Sequence, residues 1–144
     1  AMKPYFDTSV LIKSYVMDPR SEEAIENINQ AGTGFPISHI TTLEMTNALQ
    51  LKVFRNEISQ QAASRYLRAF ESDIESGYIY YPPHDIGSIF LRAQKLSLDH
   101  STTLGSRSLD ILHVASALEF GCDTLITFDQ KQERLAKEAG LQTH

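Results

Sequence analysis

Apolar positions fall into short runs separated by longer stretches with helical spacing. Pro4-Tyr5-Phe6 is such a run, followed at once by Asp7-Thr8-Ser9, residue types suited to opening a helix. The pattern predicts a strand there, then a helix over 9–16 that Asp18-Pro19 breaks. Ser21 with Glu22, Glu23 and Glu26 predicts the next helix, ended by Gly32. Residues 35–40 read as a second strand. Thr41-Thr42-Leu43-Glu44 matches a capping box, which predicts a helix start carrying Glu44 in its first turn and a helix running to Arg55. Ser59 opens another helix that reaches Ser76 and stops at Gly77.

The second half repeats the alternation. Residues 78–81 predict a third strand, halted by Pro82-Pro83. Ile86, Ile89, Phe90, Ala93 and Leu96 have helical spacing, so 85–98 is expected to be a helix, with the polar, Ser- and Thr-rich stretch 99–106 a loop. Ser108 caps a predicted helix over 109–120, ended by Gly121. A fourth strand over 124–127, a helix over 130–139 and a short edge strand over 141–143 complete the chain. Strands alternating with helices predict an α/β fold with a mainly parallel central sheet.

Parallel strands point one way, and ligands bind beyond their carboxyl ends. Asp7 ends the first strand, and Asp129 follows the fourth. Glu44 and Asp110 open the helices after the second strand and before the fourth. Four acids from distant parts of the chain therefore meet at one rim. Each alone could simply favour a helix N-terminus. Together they repel unless a cation holds them, and carboxylates are hard oxygen ligands suited to Mg²⁺ or Mn²⁺. Such ions polarise phosphoryl oxygens and activate water.

Composition narrows this picture. The 144 residues fit one domain, spanning 2–144, with Ala1 before Met2 reading as a cloning remnant. Cys122 is the single cysteine, so neither an internal disulfide nor a cysteine zinc site is available, in keeping with a reducing cytoplasm. No apolar run has transmembrane length, and no membrane partner is expected. A net charge of -5 opposes nucleic-acid binding, unless bound cations reverse the sign at the acid rim.

Four segments then carry a resemblance: FDTSVL (6–11), TTLEMTNAL (41–49), RSLDILHVASAL (107–118) and LITFDQKQERLAKEAGL (125–141). In order and spacing they resemble the PIN-domain family, in particular VapC-type toxin ribonucleases. That resemblance implies a three-layer α/β/α fold and an Mg²⁺- or Mn²⁺-dependent endoribonuclease acting on single-stranded RNA. Its acids fall on Asp7, Glu44, Asp110 and Asp129. Asp7 and Asp110 would be the principal ligands, with Glu44 and Asp129 completing the shell directly or through water. It further implies a toxin role, a small antitoxin partner and a homodimer. A housekeeping RNA-processing nuclease and an idle RNA- or protein-binding module are the alternatives.

Supporting residues read both ways. Thr8 and Ser9 could bind coordinated water or a phosphate, or cap their helix. Thr127 could place a hydroxyl beside the metal ligands. His113, one turn after Asp110, could orient a carboxylate, but packing in a helix interface is favoured. Arg107 could touch a phosphate or be solvated, and Lys13, Lys52, Arg55, Arg65 and Arg68 could rim the site or be solvated. Tyr78, Tyr80 and Tyr81 read as strand residues rather than base-stacking platforms. Gly32-Thr33-Gly34 leads from helix to strand, the wrong context for a dinucleotide loop. No Walker motif or nucleophile triad is present. Asp7 is followed by Thr8-Ser9 rather than by an acid two residues on, which removes an aspartyl phosphatase.

Overall fold

Pro4–Phe6 forms strand β1, and its residues alternate between two buried faces. Tyr5 joins a core with Leu125, Val114 and Leu135, while Phe6 joins a second core with Ile126, Phe35 and Met45. A strand with apolar side chains on both faces must be covered on both. The computed structural model, which describes residues 2–32 and 34–144, shows how. Ala1 and Thr33, and with them the cloning-remnant reading and the centre of the Gly32-Thr33-Gly34 reading, lie outside the described residues.

β1 pairs in parallel with β4 (Thr124–Ile126), and β4 with β5 (Gln142–Thr143). β2 (Phe35–Pro36) pairs in parallel with β3 (Ile79–Tyr80). The two groups meet where the Phe6 and Phe35 rings pack edge-on, 4.6 Å between centroids. On one face lie α5 (Ile86–Leu104), α6 (Ser108–Glu119) and α7 (Gln130–Glu138). On the other lie α1 (Thr8–Leu11), α2 (Ser21–Gln30), α3 (His39–Phe54) and α4 (Gln60–Glu75). The fold is a three-layer α/β/α sandwich with seven α-helices and parallel strand pairing among the described residues. No described helix is long and apolar enough to cross a membrane.

Three expectations need correction. The second strand is two residues long, because Ser38 already caps α3. Its hydroxyl accepts from the Thr41 backbone N–H while the Thr41 hydroxyl accepts from the Ser38 N–H. The capping box is thus Ser38–Thr41, one turn before the expected one, and Glu44 sits in the second turn. The expected loop over 99–106 is helical as far as Leu104. Leu104 packs on the core that holds Leu96, so the buried stripe outlasts the polar composition. Gly105, in the left-handed region at φ 64°, ends α5. Finally, the helix after Asp7 is α only to Leu11 and tightens to 3₁₀ over Ile12–Ser14.

Candidate active site

Asp7 follows β1 directly, in the N-cap position of α1, yet its side chain does not cap that helix. Oδ2 accepts instead from the Ser9 hydroxyl at 2.6 Å and the Thr127 hydroxyl at 3.0 Å. Thr127 reaches it because β1 and β4 are parallel neighbours, and the Asp7 N–H donates to the Ile126 carbonyl at 2.9 Å. The two chain segments therefore leave the sheet side by side. Thr127 also accepts from the Asp129 N–H at 3.0 Å, and this ties the fourth acid to the first. Asp129 itself is exposed and does cap α7, accepting from the Lys131 N–H at 2.9 Å.

Glu44 turns inward from α3. Its Oε1 accepts from the Thr8 hydroxyl at 2.9 Å and from His113 Nε2. His113, on α6, is 1% exposed, and its Nδ1 lies 2.7 Å from the Tyr5 hydroxyl. Tyr5 in turn lies 2.8 Å from Ser38 Oγ. Nε2–H donates to Glu44, and Nδ1 faces the Tyr5 hydroxyl. Burial pushes the Tyr5 hydroxyl well above its usual range, so it stays protonated and able to donate. Burial also raises the Glu44 proton affinity, but the His113 hydrogen bond and charge, with Thr8, outweigh it and hold the carboxyl low.

Asp7, Glu44 and His113 each offer a ligand atom within 4.8 Å of the others, and Asp7 Oδ1 stands 4.0 Å from His113 Nε2. Asp110, half-buried in the first turn of α6, titrates the other way. Burial, then the charges of Asp7 and Asp129, and more weakly Glu44, raise its pKa against the pull of His113. Asp110 and Asp129 line one recess of about 200 Å³ with Ser106, Arg107, Lys131 and Gln132. Two ordered carboxylates, with a third carboxyl held in the repulsive field of its acidic neighbours, fit a divalent cation that takes oxygen ligands. Cys122, the single cysteine, lines neither the acid cluster nor this recess, and burial pushes its thiol up to about 12.

The acids thus divide. Asp7 and Glu44 converge on His113, which the sequence favoured as a packing residue and which both packs and holds Glu44. Asp110 and Asp129 share the adjoining recess, where Arg107 is exposed in the N-cap position of α6 that Ser108 was expected to take. The hydroxyls of Thr8, Ser9 and Thr127 each donate to an acid, and Thr127 also accepts from the Asp129 N–H at the start of α7. Of the five expected rim cations, Lys13 and Lys52 are paired with Asp18 and Glu57. Sequence reasoning missed Tyr5 and Gln132. The Ser38-x-x-Thr41 spacing was the signal that would have moved the start of α3 and placed Ser38 beside Tyr5.

A family model described as the PIN domain matches residues 5–138. No curated protein matches the chain.

Proposed function

Because this chain belongs to the PIN-domain family, a nuclease family, we propose that it is a metal-dependent endoribonuclease cutting single-stranded RNA. The observation that supports this best is the convergence of Asp7 and Glu44 on His113, beside an Asp110 whose proton affinity is raised by neighbouring carboxylates. A bound Mg²⁺ or Mn²⁺ supplies charge neutralisation and Lewis acidity toward the scissile phosphate. The chain's own residues do the rest. Asp7 and Asp110 hold the cation, with Glu44 and Asp129 completing the shell directly or through water. Ser9 and Thr127 fix the Asp7 carboxylate, so its free oxygen needs no reorientation on binding. His113, backed by Tyr5, holds Glu44 ionised.

The test is total RNA incubated with the pure protein and Mg²⁺ or Mn²⁺, with the cut ends mapped. Discrete cuts bearing 5′-phosphates are expected. EDTA should stop the reaction and added Mn²⁺ restore it. Cleavage surviving exhaustive metal removal would leave the acids without a catalytic part, and RNA bound but never cut would favour the idle binding module.

The toxin role rests on the resemblance of the four segments and draws support from the surface beside Glu44. A groove of about 440 Å³ runs there from Thr8, Ser9 and Glu44 along Asn47 to Ile12, Leu43, Ala48, Leu51 and Leu109, and its apolar stretch is better matched to a protein segment than to a phosphate backbone. On this reading a small antitoxin covers the site and the chain is a homodimer. Induced wild-type protein should arrest bacterial growth, and the Asp110→Asn protein should not. Harmless overexpression, with no tightly binding neighbour product, would favour the housekeeping enzyme.

A further inference from the structure

The recess between the N-termini of α6 and α7 holds polar atoms that the fold does not use. Gln132 is 1% exposed, yet neither its Nε2 nor its Oε1 has a hydrogen-bond partner among the described residues. The Ser106 hydroxyl on the same wall is also buried and unpartnered. Gln132 shares the buried face of α7 with Leu135 and Ala136, where an apolar residue would pack without leaving an amide unsatisfied. Native folds pair buried polar groups with protein, with water, or with an ion or ligand, so an amide left over beside an open recess is placed to meet what enters it. Two further features point to its charge. Arg107 and Lys131 are exposed on this recess, and neither is in a salt bridge among the described residues. The recess also lies at the N-termini of two helices, of 12 and 9 residues, whose unpaired N–H groups favour an anion.

We propose that this recess is a subsite for a backbone phosphate of the RNA strand, next to the phosphate that is cut. Gln132 Nε2 and the Ser106 hydroxyl donate to its oxygens, and Arg107 and Lys131 neutralise its charge. A phosphate suits the site better than a base edge, because two cations and two positive helix ends converge there. Asp110 and Asp129 line the same recess, so the subsite would become more attractive to an anion once a bound cation offsets their charge. The inference rests on the ribonuclease reading above, and the experiment separates the two.

Binding of a 5′-fluorescein single-stranded RNA decamer is measured by fluorescence anisotropy in Ca²⁺, across a salt series, for wild type, Gln132→Leu and Lys131→Ala. Gln132→Leu should weaken binding about tenfold, the loss of one buried hydrogen bond to a charged group. It should melt no lower than wild type and keep the full rise in melting temperature produced by Mn²⁺. Lys131→Ala, at an exposed position, should lower the slope of log affinity against log salt by about 0.7, the share of one phosphate on a single strand. Wild-type protein that binds no RNA overturns the ribonuclease reading and the subsite with it. Wild-type binding that Gln132→Leu matches within twofold, or an unchanged slope for Lys131→Ala, overturns the subsite alone. Loss of the Mn²⁺-induced rise in Gln132→Leu also overturns it, because the amide would then serve the metal.

Discussion

The Asp7→Asn protein is expected to lose RNA cleavage by about a thousandfold or more while keeping its fold, a larger loss than the 10–100-fold that removing an outer partner of a metal ligand costs. Asparagine preserves the shape and can still accept from Ser9 and Thr127, so the hydrogen bonds that order this side chain survive. What disappears is the negative charge at the point where β1 ends and three other carboxylates gather. An amide oxygen is a far weaker ligand for a hard cation. Thr127→Val supplies the graded control. It removes the hydroxyl that joins Asp7 to the Asp129 N–H, and it should cost about 10–100-fold. Initial rates on a single-stranded RNA, beside circular dichroism of each variant, make the measurement. Wild-type rates for Asp7→Asn would remove Asp7 from the chemistry.

The Asp110→Asn protein should melt higher than wild type in EDTA at pH 7, and it should gain less from Mn²⁺. Two effects compete at this position. A carboxylate in the first turn of α6 is favoured by the helix dipole, by about 0.3–1 kcal/mol. Partial burial and the charges of Asp7, Asp129 and Glu44 oppose it, and their sum wins, since the Asp110 pKa is raised. A raised folded pKa means that the folded state binds the proton more readily than the unfolded chain. The metal-free protein therefore gains stability as pH falls through that pKa, and the gain is complete below the unfolded value of about 3.9. Asparagine removes the repulsion at every pH, so the pH dependence from this group should vanish as well. The rise should be about 2–4 °C, the shift that roughly 1 kcal/mol produces in a somewhat larger domain. In wild type, Mn²⁺ at a hundred times its dissociation constant adds about 2.7 kcal/mol. Melting curves of both proteins, with EDTA and with Mn²⁺, decide it. A lower melting temperature for Asp110→Asn in EDTA, with the full metal gain retained, would make Asp110 a structural cap.

Helix and strand periodicity was readable in the sequence wherever one residue's fate depends on neighbours a few positions away. The Ser59 cap, the helix it opens and the stop at Gly77 follow from local chemistry, and the structure has α4 over Gln60–Glu75. So does the position of Asp7 and Asp129 just past apolar strands, which sets both at the carboxyl edge of a parallel sheet. Long-range contacts decided the rest. His113 bonds Tyr5 across 108 positions and Glu44 across 69, and a buried histidine in a helix reads the same from sequence whether it packs or bonds. The last turns of α5 are polar in composition and helical because Leu104 reaches a core that local pattern does not reveal. Gln132 looks like an ordinary polar residue in the first turns of an amphipathic helix. Only the packing of α7 against the sheet buries its amide without a partner. Local propensity acts through the chain, so the sequence alone determined the order of the elements and the ends where Asp7, Asp110 and Asp129 stand. Hydrogen bonding and charge repulsion act through space, so which acids meet, and what they face, was decided by the tertiary structure.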